Sequence, residues 1–437
     1  MSIIERLKII MVVKTNKIFT TSVNLKFDIG NKEFIRRYLP TPSHAEFLKG
    51  IIGGFLGDNK NNAHIMIGPY GSGKSLAATI VADIFSNRIK PGDFNHLITK
   101  FKDVDQEIFD KLSNAQESNH SFIPVTLSGN EGPFGKTIIN SIIKTLKSTG
   151  QELNIPGELN EIKSIILNWE NKFPRTLNDF KKHLKEKGFT LHQWTKELDK
   201  NSSFEIQWFK EVYPFLTAGA TFQVDYETSF LENITEIISQ LNEKNLKLFI
   251  AYDEFGRFLQ SLEIDQIYKT MQDLQDLAEA ASRSNNSIQL LLISHKNMSQ
   301  YMLGHNEEFK AEFQRIEKRF KTYFVESDRA TFYRIAQQYT KNLQEEHFLL
   351  NQESADTKWI LKKYNLFNEL NHQEIEKLIV EGSYPIHPLA LFLLPRLSNT
   401  FGQNERTLFT FLESDESGGL NNFVLKKKEG MYYPHVL

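Results

Sequence analysis

Cysteine is absent from all 437 residues. That absence excludes disulfides, thiolate zinc sites, iron–sulfur clusters and cysteine nucleophiles together, and it fits a reducing compartment. An excess of one charge is missing too. The 52 basic residues face 54 acidic ones, for a net of −2. A protein that coats nucleic acid by bulk charge is excluded, while a local basic patch is not. No apolar run approaches the ~18 residues that cross a bilayer; the longest, Leu389–Leu394 and Ile51–Leu56, are far shorter. No membrane partner is expected. The opening MSIIERLKIIMVVK has the look of a leader, but Glu5, Arg6 and Lys8 interrupt it and no small-residue cleavage site follows. It reads as a helix or strand of the fold, and the chain as cytoplasmic. The 12 histidines are scattered without H-E-x-x-H spacing, so no metal other than magnesium is indicated. A G-x-S-x-G elbow is lacking as well.

What remains is ordinary for a globular protein: 40% hydrophobic and 24% charged residues, enough apolar surface to exclude disorder over most of the length. The 34 phenylalanines point to a core built from rings. Val23, Leu25, Phe27 and Ile29 alternate with polar neighbours, which predicts a half-buried strand over residues 17–30. Pro40 and Pro42 fix an extended turn before a short glycine-ended helix. Apolar strands are then predicted at Ala63–Ile67, 121–128, Leu246–Tyr252 and Ser287–Ile293. They alternate with helices at Leu76–Phe85, Lys136–Lys147, Tyr226–Lys244 and Ile264–Ser282. Strands alternating with helices imply an α/β fold, a parallel sheet flanked by helices, with ligands bound at the carboxyl ends of the strands. Residues 150–225 are rich in Lys, Glu and Asn, hold three of the four tryptophans and read as a helical insertion. From Asn306 onward the chain reads mainly as helices. The expected division is an N-terminal extension of strand plus helix (1–60), a first core segment (61–149), the insertion (150–225), a second core segment (226–325) and a C-terminal helical domain (326–437).

Four motifs fall where such a sheet binds ligands. The first is GPYGSGKS: Gly68, Pro69, Tyr70, Gly71, Ser72, Gly73, Lys74 and Ser75, with Leu76 opening the helix beyond. It fits G-x-x-x-x-G-K-[ST], a pattern that chance supplies ~0.01–0.02 times in a chain of this length. Glycines let backbone N–H groups curl inward around a polyphosphate, and the helix N-terminus adds a positive pole. Lys74 is expected on the β- and γ-phosphates of ATP and Ser75 on Mg2+. The second is Leu246 to Glu254, a buried strand delivering Asp253 to the magnesium and Glu254 as general base for the attacking water. Paired carboxylates and the lack of N-K-x-D favour an ATP hydrolase over a GTPase switch. The third is the strand ending in Ser294 and His295, of which Ser294 is the first candidate for the γ-phosphate or the water and His295 the second. The fourth is NEEFKAEFQRIEKRFKTYF, read as one helix with Phe309, Phe313, Ile316 and Phe320 in a buried stripe. Beside the stripe, Arg315 and Arg319 either serve a neighbouring subunit's γ-phosphate or form an ordinary ion-pair ladder with Glu308 and Glu312.

These elements, in this order, resemble the additional-strand, catalytic-glutamate class of P-loop ATPases, which includes AAA+ and STAND proteins. YDEFGRFL (252–259), ISHKNMSQY (293–301), EFQRIEKRF (312–320), YPIHP (384–388) and FGQNERTLFTFLESDE (401–416) are similar to the large ATPases of bacterial anti-phage defence systems, such as the BREX-type ATPase. The resemblance spans roughly residues 60–135 and 226–420. It implies a parallel P-loop NTPase sheet and a C-terminal helical lid. Within that lid, Arg406 or Arg396 would touch phosphates, the alternative for either being a structural salt bridge, and His387 would act as the HP element near the nucleotide or simply stand in a rigid turn between helices. Two departures stand out. Far more chain separates Lys74 from Asp253 than a minimal core needs, and members of that defence group are longer, so the chain reads as a compact relative or a fragment.

The function expected is a Mg2+-dependent ATPase whose cycle remodels or gates a partner complex, on DNA and in anti-phage defence. It would act as a homo-oligomer and with a protein effector. The alternative is a slowly hydrolysing sensor or scaffold that assembles with ATP and controls a separate effector such as a nuclease. The basic clusters 181–187 and 426–428 read as solvated helix faces, with DNA contact the minor alternative.

Overall fold

The structure, a computed structural model, describes residues 23–38, 40–57, 61–69, 71–86, 88–102, 104–117, 121–151, 153, 156–200, 202–222, 230–302, 307–325, 329–344, 361, 363–364, 366–401, 411–412, 418–426 and 430–436. The helix or strand expected at the start of the chain, within the first 22 residues, therefore lies outside the described residues.

Five strands, β1 (Ala63–Ile67), β2 (Ile123–Ser128), β3 (Leu248–Asp253), β4 (Ile288–Ser294) and β5 (Lys321–Phe324), form one sheet in the order β2-β3-β4-β1-β5. Every pairing is parallel. Strands β1, β3 and β4 are buried along their whole length. That explains why they read as continuous apolar runs rather than alternating ones. Alternate residues feed two separate cores. Ile65, Ile250, Leu290 and Leu292 pack under the helices Phe134–Ser148, Phe230–Glu243, Ile264–Arg283 and Glu307–Glu317. Met66, Phe249, Leu291 and Ile293 pack under Pro42–Leu56, Lys74–Phe85, Pro91–Lys102 and Gln106–Glu117. The fold is α/β, three layers thick, with helices on both faces.

Local signals place the elements. Thr41 caps the Pro42–Leu56 helix through a side-chain bond from His44 N–H, Pro42 opens its first turn, and Gly57 ends it in the left-handed region. Asn285 and Asn286, both at positive φ, turn the chain from the Ile264–Arg283 helix into β4.

Residues 156–216 form four helices, Pro156–Lys172, Pro174–Glu186, Leu191–Asp199 and Ser203–Leu216, around their own core of Trp169, Phe180, Trp194 and Phe209. No strand occurs among the described residues of 150–222. Phe222 packs against both this core and the main one. Beyond β5, the helices Arg329–Gln344 and Pro388–Phe401 contribute to a third core with Tyr333, Phe367 and Tyr432.

Two expectations are corrected. The strand expected over 17–30 is not one where it is described. Leu25–Asp28 is a single helical turn, in which the Asn24 side chain accepts from Lys26 N–H and Asp28 accepts from Asn24 N–H. Only Leu25 of the alternating set is buried there, and Phe27 faces solvent. Short local side-chain bonds outweigh the period-two pattern. The long helix expected through Phe324 ends at Glu317, and Lys321–Phe324 is the edge strand β5. The stripe Phe309, Phe313, Ile316 and Phe320 is buried throughout, but Phe320 reaches the core from the turn that follows the helix. A four-residue edge strand with one buried side chain, Tyr323, carries too little pattern to be seen.

Candidate functional site

Strands β3, β4 and β1 are neighbours, so whatever follows their carboxyl ends meets at one place. Gly68 N–H donates to Ser294 O at 3.2 Å, and Val325 N–H donates to Ile67 O at 2.7 Å. A Cβ on Gly68 would lie 2.2 Å from Val325 O, so the backbone just past β5 enforces glycine there. Gly71 and Gly73 take φ of +83° and +81°, the left-handed values that let the loop 68–73 curl before the Lys74–Phe85 helix. Tyr70 lies outside the described residues. Pro69 and Ser72 close the loop on itself, Ser72 Oγ donating to Pro69 O at 3.0 Å. Leu76 packs half-buried against the core beneath the helix.

Lys74 is only 5% exposed. Its Nζ donates to Gly68 O at 2.8 Å and Pro69 O at 2.6 Å, and lies 3.4 Å from His295 Nδ1. The ammonium is thus folded onto the carbonyls of its own loop. Asp253 is buried at the end of β3, and burial raises its pKa above the ordinary carboxyl value. The Glu254 N–H, which donates to Asp253 Oδ1 at 2.8 Å, opposes that shift, as do the Ser75 side chain and the Lys74 charge. Glu254 follows at φ +52°, a strained position for a side-chain-bearing residue. The twist makes it the first residue past the strand and the cap of the Phe255–Gln260 helix. Its Oε2 pairs with Arg257 Nη1 at 2.8 Å and sits 3.9 Å from where a Cβ on Gly129 would be. The loop after β2 therefore borders the carboxylates, and Tyr252 Oη holds it by donating to Gly129 O at 2.8 Å.

His295, not Ser294, faces the loop. Its Nδ1 lies 3.3 Å from Gly68 O, and burial, with the Lys74 and Arg257 charges, holds its pKa down to about 4. Ser294 Oγ instead donates to Lys296 O at 2.9 Å and meets Tyr301 Oη at 3.1 Å. Tyr301 Oη also accepts the N–H groups of His295 and Lys296, both at 3.2 Å, and a Cβ at Gly256 would lie 2.2 Å from it. Tyr301 thereby locks the end of β4 to the start of the helix that follows Glu254.

A further contributor comes from the N-terminal extension. His44 is buried. Its Nε2–H donates to Ser72 O at 3.1 Å while its Nδ1 accepts from Tyr38 Oη at 3.2 Å. Only the bond to Nδ1 requires the neutral ring; burial, with the Lys74 charge, lowers its pKa to about 4 against the Ser72 bond, which favours the proton. The ring fills the space beside Gly73, where a Cβ would lie 2.7 Å from His44 Cε1. Nothing in the sequence spacing marks His44. Arg257, by contrast, stands three residues after Glu254, a spacing that announces a same-face pair on a helix.

The remaining expected site residues lie apart from this cluster. Arg315 pairs with Glu312 at 2.9 Å and Arg319 with Glu279. Because β5 begins at Lys321, opposite His64, Arg319 sits at the amino ends of the strands, away from Lys74. His387 accepts Leu389 N–H at 3.2 Å and stacks on Tyr433 at 4.7 Å, within the C-terminal core. Arg396 lies over the Phe392 ring and bonds Phe392 O, Tyr333 and Glu369. Arg406 is outside the described residues.

Among the described residues no group of three or more His, Asp or Glu is arranged to hold a metal. Magnesium does not need one, since it is commonly held by one or two protein ligands with the substrate's phosphates and water completing its shell. Ser75, which opens the helix, and the buried Asp253, whose carboxylate it favours, are a donor set of that kind. No helix among the described residues is long and apolar enough to cross a membrane. Comparison of the chain with protein-family models, with curated proteins and with solved structures finds no match.

Proposed function

We propose that the chain is a Mg2+-dependent ATPase of the P-loop type, with Gly68–Ser75 as the phosphate cradle. The observation that carries the reading is that the loop after β1 and the buried Asp253 leave the same ends of the parallel strands β1, β4 and β3, where Ser75 and Lys74 both favour the Asp253 carboxylate against its burial. Chains that merely turn at glycines have no reason to bring a helix-start hydroxyl and a buried carboxylate together. Bound magnesium would supply charge neutralisation at the β- and γ-phosphates. In this reading Lys74 leaves its loop carbonyls for the phosphates. Glu254 takes the proton from a water as that water's oxygen bonds to the γ-phosphorus and the bond to the bridging oxygen breaks, giving ADP and phosphate. The resemblance in motif extends the proposal to an ATPase that remodels or gates a partner complex, in anti-phage defence and on DNA.

One observation favours the second reading, a slowly hydrolysing sensor that assembles with ATP and governs an effector. Glu254 is ion-paired with Arg257 at 2.8 Å through Oε2, and a carboxylate sharing its charge with a guanidinium is a weaker base for a water. Calorimetry and turnover separate these outcomes. Lys74→Ala should abolish ATP binding, because it removes the buried ammonium that stands at the loop. Glu254→Gln should retain binding and slow hydrolysis ~100-fold or more, since an amide cannot take the proton. Parental affinity in Lys74→Ala would overturn the site. Turnover that is rare in the parent, and barely changed in Glu254→Gln, would select the sensor.

A further inference from the structure

We infer that Arg257 is a γ-phosphate-sensing positioning residue: it holds Glu254 until a triphosphate enters the cradle, then exchanges the carboxylate for the γ-phosphate and frees the base. This inference rests on the ATPase reading.

The geometry begins with the backbone. Glu254 turns the chain from β3 into the Phe255–Gln260 helix, so Arg257 is one helical turn beyond the end of the strand. The two side chains fall on one face and meet at 2.8 Å. The guanidinium is not remote from the loop. His295, whose Nδ1 lies 3.3 Å from Gly68 O and 3.4 Å from Lys74 Nζ, feels the charges of both Lys74 and Arg257. Lys74 thus touches the histidine directly, and Arg257 acts on it from further off, through the field of a charge held beside Glu254. The first cation is bound to loop carbonyls and the second to the candidate base.

Magnitudes decide which partner wins when a triphosphate arrives. The Arg257 side chain is 58% exposed and that of Glu254 32%, so their pair is screened by water and is weak. A guanidinium on a phosphate forms two parallel charge-assisted bonds and competes well against one such carboxylate contact. ADP offers no γ-phosphate, so in its presence the pair with Glu254 persists. The arrangement is a weak latch that opens for the substrate and stays shut for the product. A lysine at 257 would keep the charge and lose the paired geometry.

The test compares binding of ADP and of a non-hydrolysable ATP analogue, with Mg2+, by calorimetry. The proteins are the full chain, Arg257→Ala and Arg257→Lys, each checked for parental circular dichroism. Arg257→Ala should weaken the triphosphate roughly tenfold and leave ADP within about twofold, with Arg257→Lys in between. An unchanged ratio of the two affinities in Arg257→Ala would overturn the inference, whether neither affinity moves or both fall together. A parent chain that binds neither nucleotide would overturn the ATPase reading itself, a result distinct from a parent that binds both while Arg257→Ala keeps its ratio.

Discussion

Between His44 and Ser72, one hydrogen bond ties the N-terminal extension to the loop, through a ring that burial keeps neutral. Burial holds the His44 pKa at about 4, below the ordinary 6.5. Above pH 6.5 the ring is neutral folded or unfolded, and its full contribution to stability is present. As pH falls from 6.5 the unfolded chain takes up the proton first, and stability is lost until the folded pKa near 4 is passed. The effect for one such ring is at most about 3 kcal/mol. His64 acts in the same sense and for the same reason, with a pKa lowered to about 4. Asp83 opposes them. Burial raises its pKa from 3.8 to about 7, so its contribution is present below 3.8 and is lost as pH rises towards 7. His295, lowered to about 4, joins the two rings against Asp83 and the other carboxyls that burial raises, Asp253 and Glu317; the rings set the trend, and the unfolding midpoint should fall between pH 7 and pH 4.5. His44→Gln should make that fall shallower in a thermal melt series. An equally steep fall in the variant would show that His44 is not the neutral group described. At Gly73 the same ring forbids a side chain, which is why the last glycine before Lys74 answers to more than its own φ.

The helices of 156–216 show what an element needs beyond pattern. Glu205 accepts from both Lys187 and Trp194 Nε1, and the Lys187 ammonium lies over the rings of Trp208 at 4.4 Å and Phe204 at 4.6 Å. Glu205→Leu leaves that ammonium with rings alone and an indole N–H unpaired. It should destabilise these helices by ~3 kcal/mol, read as an earlier loss of tryptophan fluorescence in urea. Parental unfolding would mean that the rings suffice. That this segment is helical was legible from its composition and tryptophans, while the polar junction that centres it was not, because Lys187 and Glu205 meet only after two helices reverse. The same holds for the candidate site. The strands β1, β3 and β4 and the residues at their ends were readable, since buried parallel strands are short apolar runs and the phosphate-loop spacing is rare. Strand β5 was hidden by its brevity. His44 was hidden because its partner, Ser72, is met through the fold and not along the chain. Ser294 was ranked ahead of His295 and the order is reversed, since which of two adjacent side chains faces the loop depends on Tyr301, several residues further on.

Across the whole molecule the sheet separates two ends. Lys74 and the carboxylates lie at one, and Arg319, with Arg315 a turn earlier, approaches the other, where both are held in ion pairs. Arginines so placed do not serve their own chain's loop, but a head-to-tail neighbour's loop is open to them. ATP should therefore promote oligomers. Mixing Lys74→Ala chains with Arg315→Ala/Arg319→Ala chains should partly restore hydrolysis, each supplying what the other lacks. No restoration, with a monomer at every ATP concentration, would leave the two arginines as surface ion pairs. The distribution of rings across the molecule has one more consequence. Of the four tryptophans, Trp169, Trp194 and Trp208 belong to the inserted helices, the fourth is Trp359, and residues 23–150 and 230–325, which hold the sheet, contain none. The protein thus carries a spectroscopic label on one appendage and silence in its centre. Emission will report chiefly on the insertion and ellipticity on every helix, so the two signals, followed together, can time one part of the molecule against the rest without any dye.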